Sequence, residues 1–247
     1  MCGRFVSSSS PARLAARFGV AEIDGSVGDD EPDYNVSPRR RILVVRARDE
    51  HRVLSRVRWG LVPSWAKDPG VGDRMINARS ETVAEKPAFR RAFARRRCIV
   101  PADGFYEWRA AGVGRSVKQP YYVHAADGAP FAFAGLWETW KVPDAALGTV
   151  GDPDGWLRTC TILTTTANAA LAPIHDRMPV VLPEPAWADW LDPDLTDPGA
   201  LLPLLGPAPA TSVRLHLVAR AVGNARNRGP ELIDPLPEAG PGPDPAG

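Results

Sequence analysis

The shortness of its apolar runs restricts this 247-residue chain more than any other feature. Ile42 to Val45, Arg52 to Trp59, Cys98 to Pro101, Tyr121 to His124, Phe131 to Leu136, Arg158 to Thr165 and Val213 to Val218 are β-rich segments of four to eight residues. They show no regular βαβ rhythm, which favours antiparallel sheet. Helical spacing is brief. Ser10-Pro11 caps a helix from Ala12 to Phe18 that Gly19 ends. Ala88 to Arg97 carries Phe89 and Phe93 one turn apart, and Pro185 to Leu191 places Trp187 and Trp190 on one side. The pattern predicts an α+β fold built on antiparallel sheet. Ile42 to Val45 and Arg52 to Trp59 read as a hairpin around Arg48-Asp49-Glu50. Pro63 to Arg74 reads as a long loop and Pro143 to Gly155 as a surface insertion. One domain is expected over residues 1–235, followed by a disordered Pro/Gly-rich tail over 236–247.

A hydrophobic fraction of 44% supplies a sizeable core. The net charge of +1 excludes a globally basic nucleic-acid binder but leaves room for local patches. Arg39-Arg40-Arg41 is one such patch, and Arg90-Arg91 with Arg95-Arg96-Arg97 is another. A solvated face is the simplest reading of either. No run of about 18 apolar residues and no secretory pattern occur. Cys2, Cys98 and Cys160 are too far apart in sequence for a metal motif, and so sparse a set suits a reducing compartment. The expectation is a cytoplasmic protein with no metal, no cofactor and no membrane partner.

The chain opens Met1-Cys2-Gly3-Arg4. Removal of Met1 leaves Cys2 with a free α-amine and a thiol on adjacent carbons. Such a 1,2-aminothiol condenses with an aldehyde to an imine, which the thiol closes into a five-membered thiazolidine. Both groups are partly nucleophilic near neutral pH in their ordinary states. An internal cysteine lacks the free nitrogen. Taken alone, a cysteine at position 2 is unremarkable; the rest of the chain changes its weight.

Polar residues gather in segments where a bland core would not place them. Ile76-Asn77-Ala78-Arg79-Ser80-Glu81-Thr82 follows the long loop, and Gly104-Phe105-Tyr106-Glu107-Trp108 follows a strand. Ile174-His175-Asp176-Arg177-Met178-Pro179, Tyr34-Asn35-Val36-Ser37-Pro38 and Val222-Gly223-Asn224-Ala225-Arg226-Asn227 complete the set. Each has an ordinary alternative: a turn-capping Asn77, a solvent-side Glu107, a surface His175, a core Trp108.

Together with MCGRF, WGLVPSW, RCIVPADGFYEW, KQPYYV and IHDRMPVVL, these segments resemble the SOS-response-associated peptidase (SRAP) family of abasic-site processing proteins, in order from residue 1 to about 235. The resemblance implies a curved, barrel-like core of antiparallel sheets flanked by short helices. It implies a covalent thiazolidine crosslink between Cys2 and an abasic site in single-stranded DNA, a masked aldehyde whose strand the adduct protects. It also implies lyase-type Schiff-base chemistry, with removal of Met1 as the minimal peptidase step. Glu107 would shuttle protons, His175 would protonate the sugar ring oxygen, and Asn77 would orient the sugar or the imine. Arg4, Arg79 and Arg177 would hold phosphates, with Asn35, Pro38, Trp65 and Trp108 contacting or stacking on the strand. The expected partners are abasic single-stranded DNA and replication-fork proteins, and the expected state is a monomer.

Two other readings use the same residues. N-terminal-nucleophile glutamine amidotransferases also begin Met-Cys-Gly, and would use an Arg-Gly-Pro segment and an Asn-Gly oxyanion element. Asn-Gly does not occur in the chain. A non-covalent single-stranded or modified DNA binding module would use Arg4, Arg79 and Trp65 equally well, but gives Cys2 no task.

Overall fold

The computed structural model describes residues 2–28, 31–110 and 118–237. The expected hairpin is present. Strand β4 (Arg41–Arg48) pairs with β5 (His51–Trp59) so that Arg48 lies opposite His51. Only Asp49 and Glu50 remain in the loop, and Asp49 takes φ 53°. A two-residue hairpin turn demands such backbone, and aspartate tolerates it better than most residues. The shorter strands before the hairpin are β1 (Phe5–Ser7), β2 (Glu22–Ile23) and β3 (Asp33–Val36). After it come β6 (Asn77–Arg79), β7 (Arg97–Ala102), β8 (Gly104–Ala110), β9 (Lys118–Ala125), β10 (Phe131–Lys141), β11 (Trp156–Thr166), β12 (Arg177–Pro179) and β13 (Val213–Leu217).

Five strands close on themselves. The ladder β5-β4-β7-β10-β11 is antiparallel throughout, and β11 returns to β5 in a short parallel pairing of Thr159 with Arg58 and Cys160 with Trp59. The fold is thus mixed α+β around a closed five-stranded barrel. Period-two alternation separates two sets of side chains. Val44, Val57, Trp59, Cys98, Val100, Phe133, Cys160 and Ile162 share one core with Cys2, Phe5 and Phe105. Leu43, Val45, Leu54, Ile99, Ala134, Leu136 and Leu163 form the other, under the helices.

Helix α1 (Pro11–Phe18) starts at Ser10, whose Oγ accepts from the Arg13 N–H at 3.3 Å, and ends at left-handed Gly19. Helices α2 (Arg90–Arg95), α3 (Trp187–Leu191) and α4 (Pro198–Leu201) are shorter. Arg97 does not join a solvated face, unlike the simplest reading of its cluster. It is buried, and its guanidinium donates to the carbonyls of Phe93, Ala94, Trp190, Asp192 and Leu195. It satisfies the open carbonyl ends of α2 and α3 together. Burial lowers its pKa to about 10, with Asp192 opposing, so it stays charged at neutral pH.

A second, wholly antiparallel sheet runs β13-β9-β8-β1-β3. It carries two segments that the sequence presents as isolated motifs, Asp33–Val36 and Gly104–Ala110. Strand β1 lies between β3 and β8, so the first residues of the chain sit mid-sheet. The 143–155 segment is a surface loop closed by the Val142 N–H to the Gly155 carbonyl at 3.0 Å. The tail over residues 238–247 lies outside the described residues; just before it, the Leu236 N–H donates to the Leu217 carbonyl at 2.8 Å.

Gly135 sits where the barrel wall is most crowded. A Cβ there would meet Cys98 Sγ at 2.9 Å and the Thr161 carbonyl oxygen at 3.2 Å. Gly135→Ala should therefore destabilise the fold by about 1–3 kcal/mol, the usual cost of overpacking. Urea unfolding checks this; an unchanged midpoint would mean that the wall yields freely there.

Candidate active site

The second sheet lays the first residues of the chain alongside β8. Phe5 pairs with Phe105, and the Tyr106 N–H donates to the Arg4 carbonyl at 3.0 Å. Continuing that register sets Glu107 opposite Gly3, on the same face as Phe105. Cys2 and Glu107 are both buried. Burial pushes the Cys2 thiol well above its usual range, and the Glu107 carboxylate pushes it further. The Arg4 backbone N–H, directed at the sulfur, works in the opposite direction. At neutral pH the thiol holds its proton.

Asn77 arrives from the barrel. Strand β6 lies parallel to β11, with Asn77 opposite Ile162. The preceding Ile76 carbonyl accepts both the Trp59 indole N–H at 2.8 Å and the Ile162 N–H at 3.1 Å. Asn77 Nδ2 then donates to the Cys2 carbonyl at 2.8 Å. Its Oδ1 is buried with no hydrogen-bond partner among the described residues, a free acceptor beside Cys2.

Arg4 forms the neighbouring wall. Its Nη1 donates to Asn35 Oδ1 at 2.7 Å and to the Val222 carbonyl at 2.9 Å, and its guanidinium carbon lies 6.0 Å from the centre of the Trp108 indole. Asn35, 1% exposed, is committed at both ends of its amide. Its Nδ2 faces the carbonyls of Val222, Asn224 and Asn227 at 2.9–3.1 Å. In this structure Asn35 holds Arg4 and the 222–227 loop through both ends of its buried amide. Trp108 is half-buried and Pro38 likewise.

His175 stands in the turn before β12, at the C-terminal end of β11 that also receives β6. Its Nδ1 accepts from the Arg177 N–H at 2.9 Å, which requires an unprotonated Nδ1. The Asp176 carboxylate lies 2.9 Å from the same nitrogen and suits a protonated one. The first contact needs the ring proton on Nε2 and the second needs a proton on Nδ1. The backbone bond is the better fixed, since Asp176 is largely exposed. Arg177 itself grips Glu81 with both guanidinium nitrogens at 2.5 and 2.9 Å and also donates to the Thr164 carbonyl at 2.6 Å. The expected phosphate anchor is therefore already engaged by a carboxylate. Arg79, opposite Thr164 on β6, is exposed. Trp65 is 60% exposed, beside Ala66, whose carbonyl accepts the Trp140 indole N–H at 2.7 Å. Arg228-Gly229-Pro230 is the chain's Arg-Gly-Pro segment, and it lies against β3, where the Arg228 carbonyl accepts from the Tyr34 N–H at 3.3 Å.

Comparison with known proteins settles the lineage. The family model described as SOS response associated peptidase (SRAP) matches residues 1–225. The chain belongs to the SRAP family. Its relatives include the Bacillus subtilis abasic site processing protein YoqW, 41% identical over 95% of this chain and 99% of that protein. The Escherichia coli abasic site processing protein YedK is 36% identical over 96% and 100%. The Pongo abelii abasic site processing protein HMCES is 33% identical over 83% of this chain and 65% of its own length. A crystal structure of a Bacteroides thetaiotaomicron protein superposes with a TM-score of 0.81 at 25% identity, covering 95% of this chain and all of that one.

Within this SRAP chain the Cys2–Glu107 coupling has a direct readout. Glu107→Gln removes a negative charge beside the sulfur, so the Cys2 pKa should fall and the thiolate fraction at a given pH should rise. Iodoacetamide labelling followed across pH by intact mass should show Cys2 reacting at lower pH in the variant. An unshifted profile would mean that burial alone governs the thiol.

Proposed function

We propose that this protein recognises abasic sites in single-stranded DNA and links itself to them through Cys2. The observation that carries the reading is the buried Cys2, with the Glu107 carboxylate raising its thiol pKa and Asn77 Nδ2 donating to its carbonyl. The names of the relatives support the substrate. The raised thiol pKa argues for an order of steps. A protonated thiol is a poor first nucleophile, which disfavours direct attack on an amide as in an amidotransferase. The α-amine freed by loss of Met1 attacks the ring-opened C1′ aldehyde instead, and water leaves as the imine forms. The S–H bond then adds across the C=N bond: sulfur bonds to C1′, and the proton passes to nitrogen, closing the thiazolidine.

Glu107 takes that proton and returns it, and its burial strengthens its electrostatic action on nearby groups. His175 protonates the sugar ring oxygen as the ring opens. Asn77, with one amide end fixed on Cys2 and the other unoccupied, orients the sugar. Trp65 and Trp108 offer stacking faces, and Arg4 and Arg79 offer charge to the backbone. The setting is the cytoplasm, on nucleoid DNA, during a damage response. No helix among the described residues is long and apolar enough to cross a membrane.

Incubation with an abasic single-stranded oligonucleotide, then denaturing electrophoresis and intact mass, tests the reading. Cys2→Ala should abolish the heat-stable adduct, while Cys98→Ala and Cys160→Ala should keep it. A stable adduct in Cys2→Ala would sink the assignment, and binding without any adduct would favour the non-covalent module. Glu107→Gln should slow crosslinking by about 10²–10⁴-fold with nearly unchanged DNA affinity.

His175 gives a separate pH test. An ordinary imidazole gains its proton as pH falls through about 6–7. Acidification also removes the free α-amine in both proteins, so the informative quantity is the ratio of parent to His175→Ala rates, which should change with pH across roughly 6–8 for both formation and release. Single-turnover crosslinking and release rates against competing abasic DNA measure it. Parallel profiles in the two proteins would make His175 structural.

A further inference from the structure

A cavity of about 770 Å³ opens beside β3, its lining does not include Cys2, Asn77 or Glu107, and the reaction proposed above gives it no task. Ser7 and Ser8 at the end of β1, Arg40 after Pro38, Arg56 on β5 and Arg228 after the Asn35-held loop form its wall, with Glu31 and Asp33 opposing them. Arg41 lines it as well, though its Nη1 is already held by Asp152 at 2.5 Å, so four arginines share the cavity with two carboxylates. Asp33 is fixed by the Asn35 N–H on Oδ1 at 2.9 Å, while its Oδ2 stands 3.9 Å from Arg40 and 3.8 Å from Arg228. Partly exposed pairs of that length hold their arginines weakly, so an incoming anion meets little competition.

Two stretches of chain tie the wall of the cavity to the proposed site. The first runs from Cys2 through β1 to Ser7, five residues or about 16 Å if extended. The segment after β3 leads from Val36, paired with Phe5, through Pro38 to Arg40. The same buried Asn35 that steadies Arg4 also fixes the 222–227 loop and with it the start of the Arg228 segment. We infer that this arginine-lined cavity is a phosphate-binding subsite that receives the backbone of the bound DNA strand a few nucleotides from the lesion. The inference rests on the function proposed above, since it takes the same strand as its ligand. Its chemistry is charge-assisted, forked hydrogen bonding of guanidinium to phosphodiester, helped by serine hydroxyls, and it reads no base.

The test compares unmodified single strands of about 4 and about 16 nucleotides, the span of single-stranded footprints on small domains. Fluorescence anisotropy over a salt series measures both with the full chain and with Arg40→Ala/Arg228→Ala. The double variant should lose roughly tenfold in affinity for the longer strand, and its log–log salt slope should shrink by about 1.4, two contacts' worth. Binding of the shorter strand should stay at the parent level, which also reports that the variant is folded. Glu31→Gln should tighten the longer strand only, and it decides the matter if the double variant does not fold. Equal losses at both lengths, or none, would overturn the inference. Stoichiometric uptake of inorganic phosphate by the parent but not the variant, without a length effect, would also overturn it, in favour of a free-anion site. Crosslinking of an abasic strand of about 4 nucleotides is the separate control. Its failure in the parent rejects the proposed function, whereas its success without a length effect rejects only the subsite.

Discussion

Arg58 and Trp59 close the barrel against Thr159 and Cys160, and most of the candidate site hangs from that junction. Without it the wall is an open, strongly twisted sheet with two unpaired edges. With it, the Gly60 N–H reaches the Cys160 carbonyl at 2.8 Å, the Trp59 indole holds the Ile76 carbonyl, and β6 is clamped beside β11. Asn77 is then delivered to Cys2 by rigid backbone rather than by a loop. Glu107 is delivered from the other side by the β1–β8 register. Two separate sheets thus converge on one short segment at the start of the chain, which is how preorganised polar groups are held in place.

Much of this was legible in the sequence, for reasons that differ by element. The α1 helix was readable because Ser10, Pro11 and Gly19 are local signals with local causes. The β4–β5 hairpin was readable because its alternation is strong and its turn is two residues long. The motif strands β3 and β8 were harder to see: Val36, Phe105, Tyr106 and Glu107 are buried on both faces, so alternation of apolar and polar residues is lost. Barrel closure has no local signature at all, since it depends on a pairing between residues about a hundred positions apart.

The polar residues divide in the same way. Chemistry singled out Cys2, Glu107 and Asn77, and the fold brings Glu107 and Asn77 to Cys2. Residue type did not reveal which arginines were already engaged. Arg97 closes two helix ends, Arg177 grips Glu81, and Arg4 spans Asn35 and the Val222 carbonyl. A run such as Arg95-Arg96-Arg97 looks uniform in one dimension. In three it separates into an exposed residue, a partner of Glu138 at 2.6 Å and a buried one. Burial and partner geometry are non-local, and a sequence carries them only through the whole fold.

The placement of β1 between β3 and β8 also orders events during synthesis. The seat for the first few residues is incomplete until the chain has grown past Ala110. At translation rates of about 5–20 residues per second, that interval lasts roughly 5–20 s. During it Phe5–Ser7 lacks one of its two sheet partners, so this strand is fully locked into the second sheet only after β8, although it is the first to be made.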